Sequence, residues 1–429
     1  MALFGRRKSV PTTPGDEEVV EEAAPTLPEA PPLNAEGLRG VADHVAYLLS
    51  LVSPLKPFGM GLLEAWDQVM CEDIDSMINV PPNNTSKVDG YAIRVADTAA
   101  DGFATLELVG ASDRLAPHTA VSVHAGDVLP RGATAVLPAA FGSLTDGRLR
   151  IVDAVGEGDY VRAAGEHLAV GTRLLSEGDV LNDRAVGMMA SAGIDRVLVR
   201  PRPRVVVVSS GGELVEPGSQ VRHGEDTDSN SFMIAAAARA AGATVFRVAV
   251  HSSDPAALRA AITDQLIRAD LLISTTSGRR EDYEAVSQAM FDLGLTDSVD
   301  VAMSPGRTQT FGLIGAERVP MVMLPGNPVS AYVSFQAFVW PLIRRLAGAS
   351  DHRTVLRAIT RTPLRSVRGR THLLRGHLDT NSSVATVSRI SDPHAMAELS
   401  RSNALVVMGE NVESVAAGEH VLCWPLDEL

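Results

Sequence analysis

The sequence predicts an α/β multidomain protein built on a mostly parallel sheet with helices on both faces. Three observations carry this. Residues 202–348 alternate between short apolar runs and segments of helical period, the pattern of strands joined by crossover helices. Within that stretch, Val205–Val208 is an unbroken apolar run, as expected of a strand buried on both faces. On either side, short alternating runs broken by Gly, Pro and Asp read as smaller β-rich parts.

Composition sets the limits. A chain of 429 residues divides into about two to four domains. Its apolar content of 45% supports a sizeable core, and with only 4% aromatics that core must be built from Val, Leu, Ala and Ile. A net charge of −14 argues against nucleic-acid binding by bulk electrostatics. Cys71 and Cys423 stand alone, too few for a disulfide framework or a cysteine zinc site. The longest apolar stretch, 331-AYVSFQAFVWPLI-343, is shorter than the ~20 residues of a membrane span. The N-terminal MALFGRRKSV has no apolar signal region, so a cytoplasmic location is expected.

Taken in order, residues 1–35 read as a disordered tail, basic at Arg6, Arg7 and Lys8 and acidic over 16-DEEVVEE-22. Residues 36–87 together with 161–201 read as a helical and linker part. Val41, Val45, Leu48, Leu49 and Val52 recur at helical spacing, Pro54 and Pro57 stop that helix, and a second helix is expected near Leu62–Val69. Residues 88–160 read as an inserted β domain, 202–350 as the α/β domain, and 351–429 as a small barrel or sandwich. Inside the α/β domain, Gly242 and Gly294 close helices, and Asp254-Pro255 supplies an N-cap and first helical residue.

Open parallel sheets bind ligands beyond the carboxyl ends of their strands, which nominates four loops. The first is 209-SSGGELVEPG-218, where the glycines permit unusual backbone angles and close ligand approach, Glu213 offers a carboxylate, and Ser210 and Gly211 are candidate anion-binding residues. The second is 226-DTDSN-230, where Asp228, Ser229 and Asn230 lead into a helix as caps or as ligands. The third is 271-LLISTTSGRREDYE-284, with Ser277, Arg279 and Arg280. The fourth is 324-LPGNPVS-330, where Pro325, Gly326, Asn327 and Ser330 make a tight turn into a helix N-terminus suited to an anion. Outside the sheet, Asp89-Gly90 reads as a hairpin turn or as a carboxylate reaching a neighbouring cleft.

At these residues the chain resembles the MoeA family, the molybdopterin molybdenumtransferases, and the E domain of gephyrin. The resemblance rests on 86-SKVDGYAIRVAD-97, the GEHL stretch near 165–181, 203-PRVVVVSSGGELVEPG-218, 228-DSN-230, 305-PGR with FG-312, 324-LPGNPVSAYVSF-335 and 401-RSNAL-405. It implies an elongated, L-shaped homodimer with an inserted β domain, a molybdopterin-binding α/β domain and a C-terminal β-barrel. It also implies adenylylated molybdopterin and molybdate as substrates, with a divalent metal such as Mg2+. Carried over residue by residue, Asp89, Glu213 and Asp228 are the catalytic remnants, Glu213 and Asp228 the metal carboxylates, and Arg307 stands where the family has a Lys.

Several positions depart from that pattern. Gly212 replaces an Asp, Ala125 a Thr, His167 an Asp and Ser304 a Lys. The family's SGGxSxGxxD reads 275-TTSGRREDYE-284, with Thr276 and Ser277 at the paired glycines and Glu284 at the final Asp. Thr and Ser disfavour positive φ, so the usual backbone cradle is not expected. Two functions of different class follow from the resemblance. The altered site points first to a catalytically impaired scaffold. Gephyrin-like corynebacterial members suggest as partners the tubulin-like division protein FtsZ and a membrane receptor, with recruitment to the septum. Asp43 stands at an acidic position of gephyrin's peptide groove. The alternative is a working molybdenumtransferase.

Overall fold

A computed structural model of the chain describes residues 26–390 and 396–426. Most of the expected N-terminal tail, residues 1–25, lies outside the described residues. Of its remainder, Leu27 packs against the main core and the Pro28 carbonyl accepts from the Tyr47 hydroxyl, 3.1 Å away.

Helix α1 (Val41–Ser50) forms as the apolar spacing predicts. Its Val41 and Leu48 join the core of the α/β domain, so α1 docks there. His44 fixes the docking: its Nδ1 lies 3.2 Å from the Arg39 guanidinium and its ring meets Phe338 edge-on at 4.9 Å. Burial and the neighbouring Arg39 charge push His44 down to about 4. The second expected helix, near 62–69, does not form; these residues make turns. Asp67 sits at φ 62°, a left-handed value that ends any helix through it. Leu63 is 84% exposed, so the apolar residues here do not gather into one buried stripe. Helix α2 (Asp183–Ser191) is capped by Asn182, whose side chain accepts from the Ala185 amide.

The inserted domain is a six-stranded sheet. In chain order its strands are β1 (Gly90–Ile93), β2 (Thr105–Val109), β3 (Thr119–Val123), β4 (Ala135–Pro138), β5 (Gly142–Thr145) and β6 (Arg148–Ile151). They lie in the order β4-β1-β3-β2-β6-β5. Gly90 is therefore a strand residue and not half of a tight hairpin turn. A Cβ placed there would meet the Leu137 carbonyl at 2.0 Å, which explains the glycine.

The α/β domain holds β7 (Arg204–Ser210), β8 (Thr244–Val250), β9 (Leu271–Thr276), β10 (Gly294–Asp300), β11 (Thr308–Ile314) and β12 (Val319–Met323). Their order is β8-β7-β9-β12-β11-β10, with β8, β7, β9 and β12 parallel and the last two pairings antiparallel. Its helices are α3 (Asn230–Ala240), α4 (Pro255–Leu266), α5 (Arg280–Leu293), α6 (Pro328–Ser334) and α7 (Trp340–Leu346). A π-helical turn over Phe335–Val339 joins the last two. Strand alternation sorts the core. Val205, Val207, Leu271 and Ile273 face α3, α6 and α7, whereas Val206, Val208 and Leu272 face α4 and α5. The Val run is thus buried on both faces because each face carries helices.

The C-terminal strands are β13 (Leu356–Thr360), β14 (Thr371–Asp379), β15 (Thr386–Arg389), β16 (Ala404–Met408) and β17 (His420–Pro425). They run β14-β15-β13-β17-β16, and β16 pairs back onto β14, closing a barrel and removing its free edges. Buried Cys423 belongs to this core, which pushes its thiol up to about 11. Among the described residues no helix is long and apolar enough to cross a membrane.

Candidate functional site

The carboxyl ends of β7, β9 and β12 open onto one face of the sheet, and the helices that follow β9 and β12 aim their N-termini there. A cavity of about 420 Å³ lies between those two N-termini. It is lined by Thr276, Gly278, Arg279, Arg280 and Tyr283 on one side, and by Gly306, Arg307, Thr308, Pro325, Gly326 and Ser330 on the other. Three arginines and two helix N-termini make it attractive to an anion.

The β12–α6 side is built by backbone rules. Asn327 caps α6 by accepting from the Ser330 amide at 3.1 Å, and Pro328 supplies the first helical residue. Gly326 must be glycine, because a Cβ there would meet the Gly278 Cα at 2.2 Å. Its carbonyl accepts from Asn230 Nδ2 at 2.7 Å, which ties the start of α3 to this turn.

The β9–α5 side is built by side chains. Asp282, fully buried, accepts from the hydroxyls of Ser253 and of Ser277, the latter at 2.5 Å. The one left-handed glycine of the loop is Gly278, at φ 96°. The sequence comparison with the family pattern places glycines at 276 and 277. In the folded chain the tight approach occurs at Gly278, against Gly326.

The two carboxylates nominated for metal already have cationic partners. Glu213 is 8% exposed, and its Oε1 lies 2.9 Å from Arg279 Nε. That oxygen makes no hydrogen bond of good geometry, so the contact is one of charge. Arg279 also donates to the Gly224 carbonyl at 3.1 Å and lies 3.7 Å from Glu281. Asp228 is 4% exposed and caps α3, accepting from the Ser231 amide at 3.0 Å and its hydroxyl at 2.5 Å. Arg247 lies 3.5 Å from Asp228 and 3.0 Å from Glu216, while its guanidinium stacks on Phe232. Among the described residues no cluster of three or more His, Cys, Asp or Glu is placed to hold a metal ion. A divalent cation held by one or two carboxylates needs them free to approach it, and with an arginine already on each these two do not fit that need. A phosphate-bearing group fits the cavity better. Of its lining groups, the Thr276 hydroxyl is buried without a hydrogen-bond partner in the protein.

Most predicted site residues converge. Ser210, Gly211, Glu213, Ser277 and Arg279 meet where β7 and β9 end; a Cβ on Gly211 would lie 3.2 Å from that of Ser277. Ser229 and Asn230 begin α3, Arg307 pairs with Asp300 at 2.8 Å on the cavity rim, and Arg280 pairs with Glu284 at 2.6 Å. Two residues stay apart. Asp89 is exposed in the inserted domain, accepting from the Ala125 amide at 2.8 Å with His124 at 3.5 Å. Asp43 is an exposed residue of the first turn of α1. Sequence reasoning missed Gly278, Tyr283, Thr308 and Arg247. Only Gly278 left a signal, as the sole glycine of its loop.

Fold and site together define a multidomain α/β protein with an arginine-lined cleft at the carboxyl edge of its parallel sheet, together with an inserted β sheet and a closed barrel. Residues 39–193 match the MoeA N-terminal region (domains I and II), 206–345 a domain described as "Probable molybdopterin binding domain", and 357–426 the MoeA C-terminal region (domain IV). Molybdopterin molybdenumtransferase 1 of Mycobacterium tuberculosis is 34% identical over 420 residues, 90% of this chain and 98% of that protein. Molybdopterin molybdenumtransferase 2 of the same species is 33% identical, over 91% of this chain and 100% of that protein. A MoeA protein structure from Pyrococcus horikoshii shares the fold with a TM-score of 0.79 at 23% identity, covering 91% of this chain and 100% of that one. The chain belongs to the MoeA family.

Proposed function

We propose that the chain takes a phosphate-bearing molybdopterin into the cavity between the α5 and α6 N-termini and acts as a molybdopterin molybdenumtransferase, inserting molybdate into adenylylated molybdopterin. The observation that carries this is the cavity itself: three arginines and two helix N-termini at the carboxyl edge of a parallel sheet. The mycobacterial relatives bearing that activity's name, at 34% and 33% identity over nearly their whole length, support it. Arg279, Arg280 and Arg307 neutralise phosphate charge, and the helix N-termini orient it. Asp89 makes its contacts within the inserted domain, so any part it takes in this cleft requires a second copy of the chain, the homodimer that family membership leads us to propose.

One observation favours a second reading. Glu213 and Asp228 are each paired with an arginine, which takes out of service the carboxylates that active members would use. A chain that cannot use those carboxylates fits the reading of a dimeric scaffold that binds a partner peptide, for which we propose FtsZ and a membrane receptor as candidate partners. AMP release separates the two. Purified protein is given adenylylated molybdopterin and molybdate, with and without Mg2+. Turnover supports the transferase and excludes the scaffold as sole role; binding without turnover supports the scaffold.

A further inference from the structure

The resemblance to the family brings with it a divalent cation, and the donor atoms present do not suit one. We propose that the guanidinium groups of Arg279 and Arg247 take the place of that cation, so that the cleft receives phosphate-bearing ligands without a metal ion. The proposal rests on the reading of the cavity as a phosphate site and says how that site is neutralised.

The two arginines come from different places, Arg279 from the loop after β9 and Arg247 from the middle of β8. Arg279 is the N-cap of α5 and reaches back across the cleft to Glu213, holding the Gly224 carbonyl on the way. Arg247 projects from β8 between Asp228 and Glu216, with its plane held 3.5 Å from the Phe232 ring and its Nε 2.9 Å from the Ser231 hydroxyl. Asp228 is further committed, both of its oxygens being engaged by Ser231. A metal ion entering here would have to displace a tethered cation from each carboxylate. The two arginines differ in freedom. The Arg279 side chain is 49% exposed and lines the cavity, so it can also meet an incoming phosphate; that of Arg247 is 24% exposed and stacked, so it is a fixed counter-charge.

The test uses the full chain and two probes. In the first arm, Mn2+ is titrated and its free fraction followed by electron paramagnetic resonance. The unaltered protein and E213Q are expected to bind no Mn2+ below millimolar concentration. R279A leaves Glu213 buried and unpaired, and should gain Mn2+ affinity at least tenfold. R279Q, which keeps much of the side chain, provides the same readout if R279A loses its fold. Submillimolar Mn2+ binding by the unaltered protein that E213Q removes would overturn the proposal, as would no gain in either Arg279 variant. In the second arm, ADP is titrated calorimetrically in EDTA and again in Mg2+. Equal affinity within twofold is expected, and binding that appears only with Mg2+ would also overturn it. Absence of ADP binding in both solutions counts against the phosphate-site reading, while the Mn2+ arm still decides the question of the cation.

Discussion

Two loops meet across the cavity, one after β12 and one after β9, and both deliver a helix N-terminus to the same edge of the same sheet. The β12–α6 turn does so with backbone geometry: Gly326 for close approach, Asn327 for the cap and Pro328 for the first turn. The β9–α5 loop does so with charge. It buries the Asp282 carboxylate under two serine hydroxyls and sends Arg279 across to Glu213. A cleft of one architecture can thus be furnished either by peptide groups or by side chains. The second kind is tunable by single substitutions, because each side chain can change without disturbing the strand beneath it.

Substitutions on the two sides should therefore fail in different ways. The largest effect is expected at the charged loop. Asp282→Ala removes two charge-assisted hydrogen bonds, from Ser253 and Ser277, a loss of roughly 4 kcal/mol, read from denaturant unfolding of the α/β domain. A loss under about 1 kcal/mol would mean that Asp282 does not anchor the loop. Next comes Gly326→Ala, which forces the two loops apart at their closest approach. We expect a cost of about 3 kcal/mol, accompanied by loss of ADP binding, because the cavity wall itself moves.

Much of this contrast was readable beforehand, and the reasons are local. The β12–α6 turn announces itself because Pro, Gly and Asn act on their own neighbours. The Asp254-Pro255 cap held for the same reason: Asp254 accepts from the Ala256 amide. The Val205–Val208 run marked the central strand because burial on both faces leaves no polar alternation. Pairings distant in sequence were not readable. Nothing near Glu213 announces Arg279, and nothing near Asp228 announces Arg247; both depend on strands placed side by side by the sheet. The expected helix at 62–69 failed because a run of helix-compatible residues does not reveal that Asp67 turns left-handed. The barrel's closure likewise depends on β14 meeting β16, about 30 residues apart, a pairing that alternation alone leaves open between barrel and sandwich.

A third perturbation acts at the far end of the α6–α7 side, where α1 docks. His44 is held neutral there, pushed down to about 4, whereas the unfolded chain binds a proton near 6.5. Stability from this docking is fully present above pH 6.5 and declines as pH falls toward 4, by up to roughly 3 kcal/mol. Protection factors of the α1 amides, each exchange rate set against its intrinsic rate at the same pH, read it at pH 7.5 and 5, with lower protection expected at pH 5. His44→Gln should flatten that dependence. If it leaves the dependence intact, His44 is not its source. The smallest effect is expected at the cap of the backbone-built turn. Asn327→Ala should cost about 1 kcal/mol and weaken ADP binding only slightly, since the cap orders α6 without itself meeting the ligand.

The central claim is that the arginine-ringed cavity between the two loops is where the phosphate of the family's ligand is held. Calorimetric titration of adenylylated molybdopterin into the unaltered protein and into Arg307→Ala tests it most directly. Arg307 stands on the cavity rim, pairs only with Asp300 among the described residues, and supports no buried group. The account predicts binding by the unaltered protein and at least a tenfold weaker dissociation constant in Arg307→Ala, with the fold unchanged. Equal binding by both proteins, or none by the unaltered one, would contradict it.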